Sequence, residues 1–370
     1  MRPVVVSVLA IAGLVASTSR AEDDALTWSS RVGGPLASPS PSDGPTSPFY
    51  AACGERVAVL EGVARRLLGE ESAPRPSAAR LARRVQAAGV PQPAPRAWAF
   101  AGPAAAALPR FEAWLGTARG ARRCGVAHGL SRDGVTRFAA IGVDALADLE
   151  PLPRRARVGA WLALDARLLV EATDAAVVLL APDGQPRRVL ADRTGDRVRS
   201  RFAVDQPGEW AVQVVATLPG GPEPVAEARL FVGVEPQAAP PEDPPLGLPD
   251  DQVLVARLDV ARRAQGLPTL RRSRDLDAVA ARHAARMAAT NTLAHDVGEG
   301  APTERVRASG VSAAVVGENV ARAGDAEAAH RALWESPSHR GNMLSRRFGR
   351  LGIGVVHDAR GVWVTQLFAD

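Results

Sequence analysis

The sequence predicts an α+β protein of several domains. Its 370 residues allow two or three of them. Two stretches rich in proline divide the chain. The spacing of apolar residues changes from helix-like to strand-like between them and becomes helix-like again after the second. We therefore expect, in chain order, a small α+β unit, an all-β sandwich and a C-terminal α+β sandwich.

The composition is that of a globular protein, with 46% hydrophobic and 23% charged residues. The net charge is +5, and every basic side chain is an arginine. These arginines are dispersed among acidic residues and form no single block. That pattern argues against a nucleic-acid-binding surface, so we expect no nucleic-acid partner.

The N-terminus predicts export. Arg2 precedes an apolar run over 4–16, and small residues around Ala21 are typical of a signal-peptide cleavage site. The run is short for a membrane span, although an uncleaved N-terminal anchor is the alternative. We assign 1–21 to a signal peptide and predict a secreted, periplasmic or cell-envelope protein. No later apolar run is long enough to span a bilayer, so no stable membrane span is expected after cleavage.

Residues 22–48 are rich in Ser, Pro and Gly and are expected to form a disordered linker. In the unit at 49–151, apolar residues recur at helical spacing over 57–68 and 81–88. Two strands are expected at 124–128 and 135–141, with a turn signal at 132–134. An exported chain with two cysteines favours a Cys53–Cys124 disulfide, and two buried unpaired thiols are the alternative.

Residues 152–235 contain short strands separated by regular turn signals, which predicts a β-sandwich of immunoglobulin-like architecture. It contains no catalytic constellation. A proline-rich linker at 236–249 precedes the last domain.

The domain at 250–370 begins with a helix over 251–265 that Gly266 and Pro268 end. Ser273 can cap a second helix, whose buried face includes His283 as a core residue. Asp325 can cap a later helix, and a hairpin over 351–368 closes the chain.

Several motifs in this domain occur in a specific order. They are Gly-Leu-Pro at 266–268 with Leu270; the helix through Leu276, Ala280, His283 and Met287; the turn with His295; Arg305 and Gly310; Gly-Glu-Asn at 317–319; Trp334 with Ser-Pro-Ser-His-Arg at 336–340 and Asn342; Gly352 and Gly354; and Thr-Gln-Leu-Phe at 365–368. Together they resemble the CAP superfamily, which includes cysteine-rich secretory proteins, antigen 5 and pathogenesis-related proteins. The similarity is to its bacterial branch, also called the SCP domain.

The resemblance implies an αβα sandwich with a cleft that holds two histidines and two glutamates. His295, Glu318 and His339 match three of those positions. At the fourth position this chain has Pro337. Glu335 lies two residues earlier, which on a helix points about 200° away, so we retain it only as an outlying candidate.

The chemistry of such a cleft leaves two interpretations open. His295, Glu318 and His339 could hold Zn²⁺ or Ca²⁺, and a zinc-bound water would support hydrolysis. Alternatively, the carboxylate could orient one imidazole as a polar clamp, with no metal and no reaction. Ser336 and Ser338 lie near His339 in sequence, but Ser-Pro-Ser is typical of a loop.

We expect an extracellular or envelope binding module whose cleft takes a small ligand, a divalent metal, a lipid or another envelope component. The rival hypothesis is a metal-dependent hydrolase, either a peptidase or an esterase. A third is a purely adhesive protein without chemistry. The missing fourth acid favours binding over catalysis.

One internal pattern links the first and last domains. Arg-Cys-Gly-Val-Ala-His at 123–128 is similar to Arg-Leu-Gly-Ile-Gly-Val at 350–355, and a turn and a second strand follow each. The unit at 49–151 could therefore be a degenerate copy of the CAP-like domain without its His and Glu. Coincidence between two glycine-containing hairpins is the alternative, and different strand orders would exclude a copy.

Overall fold

The computed structural model describes residues 31–32, 47–69, 76–131, 134–236, 244–359 and 361–370. The signal peptide expected at 1–21 lies outside these ranges, as do most of the linker at 22–48, part of the linker at 236–249 and most of the turn at 132–134. Within the described ranges, no helix is both long and apolar enough to cross a membrane.

The N-terminal module is a four-stranded sheet with helices on both faces. After a short strand β1 (Arg31–Val32), its elements are α1 (Ser47–Cys53), β2 (Glu55–Arg56), α2 (Ala58–Gly69), α3 (Ala78–Ala87), β3 (Arg96–Ala101), α4 (Ala104–Leu115), β4 (Ala121–Leu130) and β5 (Thr136–Ala145). The apolar faces of α2 and α3 pack against one side of the sheet. Sequence periodicity located α2, α3, β4 and β5, but gave no sign of β3 and α4.

The other side of this sheet is covered by α1 and α4. The disulfide between Cys53 and Cys124 lies in this layer and joins α1 to β4, with a Cα–Cα distance of 6.1 Å. Aromatic rings surround it, including Phe49 and Phe111 with ring centroids 5.2 Å apart. This half of the module therefore combines a covalent link with aromatic packing.

The second module is a two-sheet β-sandwich around one apolar core. Its strands are β6 (Ala147–Leu149), β7 (Leu152–Pro153), β8 (Arg155–Ala156), β9 (Ala160–Leu168), β10 (Asp174–Leu180), β11 (Pro186–Val189), β12 (Ala191–Thr194), β13 (Arg197–Val204), β14 (Gly208–Leu218) and β15 (Gly221–Val232). One sheet has the order β11-β10-β14-β15-β8 and the other β12-β13-β9-β6. Because β6 pairs with β9, the sandwich starts before residue 152, where the sequence placed its boundary.

The C-terminal module has helices on both faces of its own four-stranded sheet. Its elements are α5 (Asp250–Ala264), β16 (Arg271–Arg272), α6 (Arg274–Thr290), α7 (Pro302–Ala308), β17 (Val316–Ala323), α8 (Ala326–Glu335), α9 (Pro337–Leu344), β18 (Arg350–Asp358) and β19 (Gly361–Ala369). Ser273 and Asp325 cap α6 and α8 through their side chains, as predicted. The prediction of a loop at Ser-Pro-Ser was wrong, because Pro337 begins α9, where its missing N–H costs nothing.

The sheets of the first and last modules have the same topology. Their strand orders are β2-β4-β5-β3 and β16-β18-β19-β17. In each, the short first strand is parallel to its neighbour and the other pairs are antiparallel. The degenerate-copy hypothesis therefore stays open as a prediction, since different strand orders would have excluded it.

Two local features recur between these modules. A Cβ on Gly125 would lie 2.2 Å from the carbonyl carbon of Leu60 in α2, and a Cβ on Gly352 would lie 2.3 Å from that of Leu276 in α6. Each glycine thus allows close helix–sheet contact. An ion pair also recurs beside each contact, between the arginine ending the short strand and an acid in the following helix. It joins Arg56 to Glu61 at 3.0 Å and Arg272 to Asp277 at 2.6 Å.

The N-terminal module lacks two features of the C-terminal one. Ala97 of β3 pairs with Ile141 of β5, and Ile141 pairs in turn with Gly125 of β4. Glu318 of β17 pairs with Leu367 of β19, and Leu367 pairs in turn with Gly352 of β18. Ala97 therefore occupies the register position of Glu318. The chain also passes from α4 to β4 in five residues, 116–120, leaving no counterpart of α9.

A buried arginine joins all three modules. The Arg229 guanidinium in β15 lies 2.8 Å from Gln86 Oε1 of α3, 2.5 Å from Glu209 Oε1 of β14 and 3.4 Å from Glu335 Oε2 of α8. Burial alone would lower the pKa of Arg229, but the carboxylates of Glu209, Glu227 and Glu335 raise it, so the charge is retained.

Removing the disulfide should destabilise the N-terminal module. Cys53→Ala with Cys124→Ala frees a loop with a sequence separation of 71, and the loop-entropy model gives a loss of about 4 kcal/mol. Urea unfolding followed by the fluorescence of tryptophans in this module would measure the loss. Reductant should shift the midpoint of the wild type but not of the double alanine variant. A reductant shift in both would contradict the assignment.

Candidate functional site

Glu318 is the buried centre of the candidate site. It lies in β17, the edge strand of the C-terminal sheet, and only 1% of its side chain is exposed. A buried carboxylate needs compensating partners, and both of its oxygens have one. Oε1 lies 2.8 Å from Nδ1 of His295, and Oε2 accepts a hydrogen bond from Nη2 of Arg305. His295 and Glu318, predicted to share a cleft, are therefore in direct contact.

The loop that carries His295 connects α6 to α7, and hydrogen bonds from Arg305 and to Asp296 fix its backbone. Nη1 of Arg305 donates to the backbone oxygens of His295 and Gly300, each at 2.6 Å. The Asp296 carboxylate accepts from three backbone N–H groups at 298–300, led by Gly298 at 2.8 Å. These bonds lower the pKa of Asp296 and keep it ionised. The same arginine thus fixes both the loop and the carboxylate.

His283 supports this loop from the core. Its side chain is fully buried, as predicted, with Nε2 3.0 Å from Ala294 O and Nδ1 3.1 Å from Glu299 Oε2. Because a carbonyl and a carboxylate are both acceptors, both ring nitrogens face oxygen lone pairs. The histidine therefore connects the interior of α6 to the backbone next to His295.

His339 approaches the site from α9. Asn319 Nδ2 donates to the backbone oxygen of His339 at 3.1 Å, and Asn342 Nδ2 donates to the backbone oxygen of Glu318 at 3.0 Å, which ties α9 to β17. The ring nitrogen Nδ1 lies 2.9 Å from Ser336 Oγ. Among the contacts of the described residues, the ring has no hydrogen bond to Glu318 or His295.

The electrostatic environment keeps His339 neutral. Burial of its ring, followed by the charge of His295, lowers its pKa from the ordinary 6.5 to about 3. His295 therefore contacts Glu318 directly and affects His339 through space. A neutral imidazole offers one donor and one acceptor, which suits a polar ligand.

Glu335 lies outside the candidate site. Its Oε2 is 3.1 Å from Nε of Arg83 and 3.4 Å from Nη2 of Arg229, so it belongs to the junction between the modules. It does not replace the fourth acid of the family pattern.

The predicted metal ligands do not form a suitable donor set. Among the residues that the structure describes, no three His, Cys, Asp or Glu side chains could hold a metal ion together. Both oxygens of Glu318 already face cationic or N–H partners, whereas zinc and calcium need several converging free donors. A metal at His295, Glu318 and His339 would require Arg305 to leave the carboxylate.

Sequence reasoning missed the roles of Arg305 and His283. Arg305 was noted only as a motif position, and His283 only as a core residue. A glutamate within an apolar strand signals a buried cationic partner, but sequence alone does not say which arginine supplies it.

Neutralising Glu318 should strongly destabilise the C-terminal module. Glu318→Gln leaves Arg305 buried without its counter-charge, which should cost about 3 kcal/mol or more. Adding Arg305→Met should restore part of the loss. Urea unfolding measures both effects.

The matched control is the exposed pair of Asp259 and Arg263, at 3.4 Å on α5. Asp259→Asn should cost no more than about 0.5 kcal/mol. A loss in Glu318→Gln no larger than in this control would contradict the buried-pair interpretation.

His339 and His330, whose pKa values are lowered, should make the free energy of unfolding fall in acid. Because the folded-state pKa of His339 is about 3, its contribution is complete above 6.5 and is lost as the pH falls from 6.5 towards 3. The slope is at most about 1.4 kcal/mol per pH unit for one such group. His330 adds to it, because burial and then the charge of Arg257 lower its pKa to about 4.

Urea midpoints at pH 7, 6, 5 and 4 would measure this slope. His339→Gln should make it shallower. Equal slopes in the wild type and His339→Gln would contradict the lowered pKa of His339.

Comparison with known proteins identifies the module that carries the site. Residues 255–368 match the family model described as the cysteine-rich secretory protein family, CAP. No curated protein matches the chain.

Several solved structures are similar at low identity. An outer surface protein from Borrelia burgdorferi is 20% identical, covers 33% of this chain and 92% of its own, and has a TM-score of 0.32. An extracellular protein containing a SCP domain from Bacillus anthracis is 17% identical, covers 58% of this chain and 89% of its own, and has a TM-score of 0.31. A cysteine-rich secretory protein from Staphylococcus aureus is 13% identical, covers 61% of this chain and 80% of its own, and has a TM-score of 0.29. Structural similarity of this size does not establish a shared fold or function. Because they match the family model, residues 255–368 of this chain are a CAP domain.

Proposed function

We propose that the CAP domain of this chain is an exported binding module whose cleft holds a small polar component of the cell envelope. The observation that carries the proposal is the engagement of both Glu318 oxygens by His295 and Arg305. A carboxylate paired with a guanidinium is a poor general base, and it has no free position for a metal. The site is therefore better suited to holding a ligand than to activating water.

The ligand's chemistry follows from the two imidazoles. His339 is neutral and His295 is fixed by a carboxylate, so the two imidazoles offer directed hydrogen bonds. Hydroxyl and amide groups, as in glycans and short peptides, match such donors and acceptors. The Cys53–Cys124 disulfide supports an oxidising location outside the cytosol, in agreement with the expected signal peptide.

The contact between Ser336 and His339 favours a second function. A Ser–His hydrogen bond of 2.9 Å is the geometry of an activated nucleophile. However, a histidine with a pKa of about 3 is a weak base near neutral pH. Ser336 Oγ also accepts a hydrogen bond from Gln213 Nε2 at 3.0 Å, which reduces its nucleophilicity. A serine hydrolase is therefore the weaker alternative.

Calorimetric titration of the full exported chain would test binding. With soluble cell-wall glycan fragments as the probe, we expect saturable binding that weakens about tenfold or more in His295→Ala and in His339→Ala, a loss of about 1.4 kcal/mol. His357→Ala is the control and should bind like the wild type.

Other arms of the experiment distinguish the alternatives. Titrations with Zn²⁺, Ca²⁺ and phosphatidylglycerol vesicles test the metal and lipid hypotheses, and casein and p-nitrophenyl acetate test hydrolysis. Hydrolysis that disappears in His339→Ala, or binding confined to metal ions or vesicles, would overturn the proposal. So would glycan binding that neither histidine variant weakens.

A further inference from the structure

The β14–β15 hairpin of the sandwich contacts the loop that carries His295. The backbone oxygen of Gly220 accepts hydrogen bonds from the N–H groups of His295 at 2.8 Å and Asp296 at 3.0 Å. A Cβ on Gly220 would lie 2.9 Å from Cβ of Ala294, and a Cβ on Gly221 would lie 2.7 Å from Cβ of His295. The two glycines therefore allow a contact that larger residues would block.

The same hairpin reaches the other histidine through Gln213. This fully buried side chain lies in β14. Its Oε1 accepts from the backbone N–H of Ser338 at 3.0 Å, and its Nε2 donates to Ser336 Oγ at 3.0 Å and to Glu227 Oε2 at 3.1 Å. Because a backbone N–H can only donate, it must face the amide oxygen. The orientation of the amide is thereby fixed.

These bonds form a continuous path from the sandwich to an imidazole. Gln213 holds the hydroxyl of Ser336, and that hydroxyl lies 2.9 Å from Nδ1 of His339. Gln213 also holds the first turn of α9 through Ser338. One hairpin therefore contacts the supports of both cleft histidines, at positions seven residues apart.

We propose that the β14–β15 hairpin is a working part of the cleft, in which Gln213 is a positioning residue for His339 and the Gly220–Gly221 turn positions His295. The significance of this for ligand binding rests on the function proposed above, but the positioning itself does not. The CAP domain would then be incomplete without the sandwich.

Nitrogen-15 NMR of the imidazoles in the full chain would test Gln213. In Gln213→Met, which has a similar length but no hydrogen bonds, Ser336 is released and water gains access to His339. We expect the imidazole nitrogen shifts of His339 to change at pH 7 and its titration midpoint to rise by about 1 pH unit or more. Affinity for the glycan fragments should fall about tenfold.

A second glutamine provides the control. Gln185 also bridges the sandwich and the CAP domain, with its Nε2 2.7 Å from Oε1 of Gln265, and among the described residues its side chain has no hydrogen bond to the segments that carry His295 and His339. Gln185→Met should leave the His339 signals unchanged. Equal effects of both substitutions, or unchanged His339 signals in a folded Gln213→Met, would overturn the proposal.

The turn can be tested with two matched glycines. Gly221 and Gly195 both have positive φ, at +108° and +64°, so alanine strains either backbone. A Cβ on Gly195 meets no atom within 4 Å, whereas one on Gly221 meets His295. Both variants should lose some stability, but only Gly221→Ala should shift the His295 imidazole signals. A shift of equal size in Gly195→Ala would contradict positioning by the turn.

The two proposals can fail separately. If the histidine signals respond as expected but no glycan fragment binds, the positioning role stands and the proposed ligand is wrong. If fragments bind to the wild type and to Gln213→Met equally, the binding function stands and the contribution of Gln213 to ligand binding is wrong.

Discussion

The buried guanidinium of Arg229 determines how the three modules fit together. It contacts the amide of Gln86 in the first module, the carboxylates of Glu209 and Glu227 in the second and the carboxylate of Glu335 in the third. All four of these side chains are buried or half-buried. A buried cation without these partners would carry a large desolvation penalty. The modules can therefore separate only by exposing several charges at once. This constraint holds the sandwich against the CAP domain and places its hairpin beside the two histidine loops.

Within the CAP domain, a second buried pair determines the chemistry. Arg305 binds the Glu318 carboxylate and, with its other nitrogen, the loop of His295. The carboxylate is thus a structural anchor for one imidazole. Catalytic carboxylates instead have an open position for a proton, a metal or a substrate. The residue types of the site match the family pattern, and their arrangement supports the proposed binding function.

Much of the fold could be predicted from the sequence, because helical periodicity, caps and turn residues are local signals. They located α2, α3, α5, α6 and the closing hairpin, and the family motifs gave His295 and Glu318 as neighbours. Local signals were misleading at Ser-Pro-Ser, where Pro337 begins a helix, since a proline after a serine fits both a loop and a helix start. They also gave no indication of β3, which is short and flanked by proline and glycine.

The contacts between modules could not be predicted in this way. Glu335 interacts with Arg83, 252 residues away, and Gln213 with Ser336, 123 residues away. No local pattern encodes such pairings, because each residue looks like an ordinary polar surface residue within its own segment. The family pattern did not help, since it describes only the last third of the chain.

The two glycines in the β14–β15 turn have a consequence for how this chain can diversify. A residue with a side chain at either position would push against the loop beside His295. Fusing this CAP domain to an unrelated partner would therefore change the surroundings of the His295 loop. Although a proline-rich segment links them, we expect the sandwich and the CAP domain to be inherited together as one unit.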